Sequence, residues 1–151
     1  MPARTELFVR RTPGGVFTIA NESHTTGARI FVHSVTGTDA AGYGSNPDAP
    51  YATLAYALTA ATASKGDTIY LMPGHAEAVI AAGTITVATI GVRIIGLGQG
   101  SLRPTFTWTT ANTATWLVTA ADVLIRNVIF DLTGIAVLVN GISVTAAGCA
   151  F

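Results

Sequence analysis

His75 and Glu77, in Pro73-Gly-His-Ala-Glu77, are the pair whose types and spacing come closest to chemistry. Residues two apart on a strand share a face, so an imidazole and a carboxylate placed this way can share a proton or a metal ion. A metal site needs a fuller ligand set, and no third ligand of matching character stands nearby. The plainer reading is a polar corner. Trp108 and Trp116 flank Thr109 to Thr115, a run of small polar residues expected to protrude. An aromatic ring on the flank of a strand can stack on a sugar, whereas a Trp in an alternating strand otherwise belongs to the core. His75, Glu77 and Trp108 are therefore the candidates for ligand contact. Arg4, Arg10 and Arg11, close together near the N-terminus, are candidates for anchoring, because guanidinium groups pair well with carboxylates on a partner.

No catalytic constellation is expected beyond these. Cleaving a polysaccharide takes either a carboxylate cluster for calcium with a base beside it, or two carboxylates about 5 to 9.5 Å apart. The later part of the chain offers Asp122, which reads as a turn residue, and Asp131, which no second acid accompanies. Arg93 and Arg126 read as a small basic ladder on neighbouring strands or as solvated faces. Asp39, Asn46 and Asp48 lie in a Gly-rich loop without the spacing of a calcium loop, and Gly96-Leu-Gly-Gln-Gly100 runs into Ser-Leu-Arg-Pro rather than a helix, so no phosphate loop is implied. Cys149 is the one cysteine, which excludes an intrachain disulfide and a cysteine zinc cluster; it reads as a small buried hydrophobe. The expectation is a non-enzymatic protein with no metal and no cofactor.

Composition narrows the partners. Eight Lys+Arg balance eight Asp+Glu, so attraction to nucleic acid or to an anionic membrane is not expected. The opening Met-Pro-Ala-Arg-Thr-Glu lacks the apolar run of a secretory signal, and no apolar stretch of about 18 residues follows, so synthesis in the cytoplasm is expected. At 50% hydrophobic and 11% charged, with Thr, Ala and Gly abundant, the chain favours strands over surface helices.

Residues 1–28 read as an extended arm, broken by Pro13, Gly14 and Gly15, with one apolar patch from Val16 to Ile19. Alternation begins at Arg29, and a turn-rich loop runs from Thr36 to Pro50. Tyr51, Leu54, Leu58 and Ala61 fall at helical spacing, which predicts a helix over about 53–64, N-capped by Thr53 and closed by Lys65-Gly66. Short strands separated by turns follow. Self-similarity orders them: Ile85 to Ile94 can be laid on Trp116 to Ile125, and again on Ile142 to Phe151. The offsets are about 31 and 26 residues, within the range of stacked repeats, and Gly91, Asp122 and Gly148 occupy the same corner. Repeats of two or three short strands without crossover helices predict an all-β right-handed parallel β-helix over residues 29–151.

The strings Gly42-Tyr-Gly-Ser-Asn-Pro-Asp-Ala-Pro50 and Lys65-Gly-Asp-Thr-Ile-Tyr-Leu-Met-Pro-Gly74 resemble the opening of pectate-lyase-like β-helix proteins, in which a short N-terminal helix caps the solenoid. With Val92-Arg-Ile-Ile-Gly-Leu-Gly-Gln-Gly-Ser-Leu-Arg-Pro-Thr-Phe-Thr107, the chain is similar to β-helix virion proteins of tailed bacteriophages. That resemblance implies a structural virion protein, a capsid decoration or head-attached protein held by its arm, homotrimeric and contacting other capsid or tail proteins. The alternative it implies is a tail fibre or tailspike-like protein that binds or degrades host surface polysaccharide. An open strand edge at Cys149 to Phe151 leads to the further expectation that the domain is incomplete at its C-terminus, or that a partner covers it.

Overall fold

The computed structural model describes residues 27–151, together with the backbone of two short strands, β1 (Phe8–Arg10) and β2 (Phe17–Ile19). Those two pair antiparallel, Phe8 with Ile19 and Arg10 with Phe17. Within the expected extended arm these two strands form a small sheet; Arg4 and Arg11 lie outside the described residues.

The rest is mostly strand. β3 (Arg29–Val32) leads into helix α1 (Leu54–Ala60), and then β4 (Thr68–Leu71), β5 (Ala76–Val79), β6 (Ala82–Val87), β7 (Arg93–Gly96), β8 (Thr105–Trp108), β9 (Thr115–Val118), β10 (Leu124–Arg126), β11 (Ile129–Asp131) and β12 (Ile142–Val144). All pair in parallel within three sheets: β3, β4, β7 and β10 form the first, β5, β8 and β11 the second, β6, β9 and β12 the third. From β4 onward the chain visits the sheets in rotation, making three circuits. The register is the one the sequence repeat anticipates: Ile85 faces Trp116 and Trp116 faces Ile142, while Arg93 faces Leu124.

Alternation within strands becomes rows across them. Ile30, Ile69, Ile94 and Ile125 stack in register along the inner face of the first sheet, each at most 5% exposed. Rows about 4.8 Å apart keep such side chains in contact, and each buried isoleucine contributes roughly 1.5 to 3 kcal/mol. Between the second and third sheets the core is aromatic. Phe106 meets Trp116 edge-on at 4.6 Å between ring centroids, and Trp116 meets Phe130 at 5.3 Å.

The corners repeat as well. Ser64, Gly91, Asp122 and Gly148 all take left-handed backbone, with φ of 59, 73, 57 and 73°. Ser64 N–H donates to Ile90 O, Gly91 N–H to Ala121 O and Asp122 N–H to Ala147 O, so each corner is bonded to the next circuit. Asp122 is the turn residue that the repeat implied. A Cβ at Gly91 meets nothing closer than Ser64 Cα at 4.0 Å, which isolates the conformational cost of a side chain there. Gly91→Ala is expected to lower stability by about 1 to 2 kcal/mol in urea unfolding, the cost of left-handed backbone in an L-residue, and an unchanged midpoint contradicts this.

The helix differs from expectation at its end and in its place. Thr53 is the N-cap, accepting from Tyr56 N–H at 3.2 Å, but α1 stops at Ala60 with Ala61 already extended. Thr62 N–H donates to the Asp67 carboxylate instead of continuing the helix, and Lys65-Gly66 belongs to the turn that follows. Nor is α1 N-terminal, since three strands precede it. It buries Leu54, Ala57 and Leu58 and packs on β3 and β6, edge strands of the first and third sheets.

Candidate functional site

Three carboxylates, Glu77, Asp39 and Asp67, organise the start of the fold, and a fourth, Asp131, braces a turn in a later circuit. Glu77 Oε2 accepts from Leu54 N–H at 2.9 Å, and His75 Nε2 lies 3.3 Å from the same oxygen. The first turn of a helix leaves N–H groups without partners, and Glu77 satisfies one of them from 23 residues away. Asp39 does the same work one step earlier: Oδ1 accepts from Ala52 N–H at 2.8 Å and Thr53 N–H at 3.1 Å, and Oδ2 accepts from the Thr53 hydroxyl. Asp67, 2% exposed, accepts from Ala28 N–H and Thr62 N–H at 2.7 Å each. It fastens the segment before β3 and the exit from α1 to the start of β4. Asp131 Oδ1 accepts from the backbone and the hydroxyl of Thr133, at 3.0 and 2.6 Å.

These contacts decide what the sequence candidates can do. His75 is 1% exposed, packed on Phe106 at 5.6 Å, and its Nδ1 is buried without a partner among the described residues. His75 is sealed in the core and Glu77 is committed to the helix start, while Glu77 also borders a shallow hollow of about 240 Å³ with Ala76, Ala78 and Thr107. Trp108 is fully buried and its Nε1 donates to Ala114 O at 3.0 Å, so its ring presents no face to a sugar. Trp116 is equally buried, with Nε1 unpaired among the described residues. Of the anchoring arginines, Arg10 is described only as backbone in β1.

Other readings change in detail. His33, just past β3, places Nδ1 2.8 Å from the Thr36 hydroxyl. Cys149 is half-buried, its thiol directed at Ala120 O, where Val92 and Val123 of earlier circuits are buried. Among the described residues no group of three His, Cys, Asp or Glu side chains could hold a metal ion.

The Thr133 hydroxyl and then its N–H hold the Asp131 carboxyl below its ordinary value of 3.8. A depressed carboxyl favours the folded turn above the unfolded value, and that preference is lost as pH falls through the folded one. NMR titration of the Asp131 carboxyl carbon is expected to give a midpoint below 3.8, and a midpoint at or above it contradicts the bonded turn.

Sequence reasoning missed a concave surface on the outer face of the first sheet. A cavity of about 470 Å³ is lined there by Tyr70, Ile95, Gln99, Arg126 and Asn127, with Gly96 and Gly98. Arg93 and Arg126 do share this face, but two positions out of step, since Arg93 faces Leu124 and Arg126 faces Ile95. Of the two readings, a basic ladder or separate outward faces, the register gives no direct ladder. Asn127 Nδ2 donates to Gly96 O at 2.9 Å and Gly98 O at 3.0 Å, which fixes the cavity wall. The register of Tyr70, Ile95 and Arg126 was the signal that could have found it, by extending the repeat one strand earlier.

Compared with known protein families, with curated proteins and with solved structures, the chain matches none of them.

Proposed function

We propose that this chain is a structural protein of the tailed-bacteriophage particle: a right-handed parallel β-helix, capped by α1 and held to the head as a decoration protein by its N-terminal arm. The observation that carries the reading is the stacking of three circuits in the register of the sequence repeat, Ile85 on Trp116 on Ile142 and Arg93 on Leu124. Parallel strands joined by crossovers wind right-handed in about 98% of cases, and successive circuits bonded along one axis make a stiff rod. The Gly-Asp-Thr-Ile string that resembles phage virion proteins supplies Asp67, which with Glu77 fastens α1 and the first circuit. A role in architecture accounts for both carboxylates without chemistry. Arg4, Arg10 and Arg11 act as donors to carboxylates of the capsid proteins, and three copies assemble around one attachment point.

Mass spectrometry of purified particles tests this. The full-length chain is expected in the virion, and a chain lacking residues 1–20 is expected to fold but to stay out of it, because the apolar rows begin downstream at Ile30. Absence of the full-length chain from particles overturns the virion role. Normal incorporation of the shortened chain overturns the anchoring arm.

A further inference from the structure

We propose that the outer face of the first sheet is a docking site for an acidic, extended segment of a neighbouring virion protein, with its carboxylate on Arg126 and an apolar or aromatic side chain three residues away on Tyr70 and Ile95. The inference rests on the virion reading and adds the chemistry of one partner. Phe31, Tyr70, Ile95 and Arg126 lie in register on four adjacent strands, pointing away from the core. Phe31 and Tyr70 stack with centroids 5.6 Å apart, Tyr70 and Ile95 are half-buried, and Arg126 is exposed. An apolar stripe thus runs across the sheet and ends on a cation, over the 470 Å³ cavity.

Charge selects the partner. Arg126 stands exposed at the end of this stripe, and the four strands of the sheet carry no acid. The Arg126 guanidinium, the Gln99 amide and the Tyr70 hydroxyl have no hydrogen-bond partner among the described residues. All three line the same cavity, a donor-rich rim around an apolar floor. Arginine pairs with a carboxylate through two parallel hydrogen bonds, and the floor accepts a ring or an aliphatic chain.

Geometry selects the spacing. Strands about 4.8 Å apart put the Tyr70 and Arg126 rows roughly 9.6 Å apart. A polyproline II segment returns to the same side every third residue after about 9.3 Å, so an acid-x-x-aromatic segment spans the two rows while lying across the strands.

The test is fluorescence anisotropy of the full chain with a labelled Gly-Pro-Glu-Pro-Pro-Phe-Pro-Gly peptide. The peptide is expected to bind below about 1 mM. Replacing its Glu by Gln, or Arg126 by Gln in a protein with unchanged circular dichroism, is expected to weaken binding at least fivefold, while Arg103→Gln changes it less than twofold. No binding up to 1 mM, equal binding by Arg126→Gln, or an equal loss with Arg103→Gln overturns the proposal. So does occupation of the cavity by residues 1–26 of this chain or by a second copy, seen as binding that appears only after truncation or dilution. A chain that is found in virions but ignores the peptide overturns this site alone. Binding by a chain absent from virions upholds the site and overturns the virion role.

Discussion

Replacing Asp67 by alanine is expected to lower the unfolding free energy by about 3 to 5 kcal/mol, because two backbone N–H groups lose a charged acceptor at a buried position. Asp67 reaches Ala28 across 39 residues and Thr62 across five, so the loss frees both the lead-in to β3 and the exit of α1. Asp67→Asn retains one acceptor oxygen and is expected to lose about half as much. Urea unfolding followed by tryptophan fluorescence reads the difference, since Trp108 and Trp116 are both fully buried. A loss under about 1 kcal/mol for the alanine variant contradicts the fastening role.

Gly96→Ala is expected to cost about as much for a different reason. A Cβ on Gly96 would run into the carbonyl oxygen of Asn127 in the next circuit and lie 3.1 Å from Pro104 Cδ. Because the obstacle is backbone, relief requires β7 and β10 to separate where they are bonded in register. The two hydrogen bonds from Asn127 Nδ2 to Gly96 O and Gly98 O stretch with them. Overpacking costs about 1 to 3 kcal/mol and each lost hydrogen bond about 1 more, for a total of about 3 to 5 kcal/mol. A variant that unfolds at the parental urea concentration contradicts the close approach of the circuits at this point.

Much of the architecture was legible because it repeats. A row of side chains facing one interior must recur with the length of a circuit, so Ile85, Trp116 and Ile142 could be aligned before any strand was known to touch another. The left-handed corner was legible for the same reason: Asp122 stood where Gly91 and Gly148 stood, and an aspartate tolerates that backbone better than most residues. The end of α1 was not. Apolar spacing continues to Ala61, but Asp67 draws Thr62 N–H away from the helix, and a contact set by folding back leaves no local pattern.

The polar residues followed the same division. His75 and Glu77 lie side by side, as residues two apart on a strand do, yet the partner that gives Glu77 its role is Leu54 N–H, 23 residues earlier. Trp108 was open to two readings, a ring for sugar stacking because polar threonines follow it or a core residue because its own strand alternates, and the strand turns it inward. The outer stripe of the first sheet was hidden differently. Phe31, Tyr70, Ile95 and Arg126 have unlike side chains, so no repeat flags them, and only the register brings them into one row.

Reconstruction of purified phage particles decides the virion role. Density is expected for a rod of stacked parallel strands, with three sheets around an aromatic core, attached to the head through the N-terminal arm and present in three copies at each site. A well-resolved particle in which every surface density belongs to other chains contradicts it.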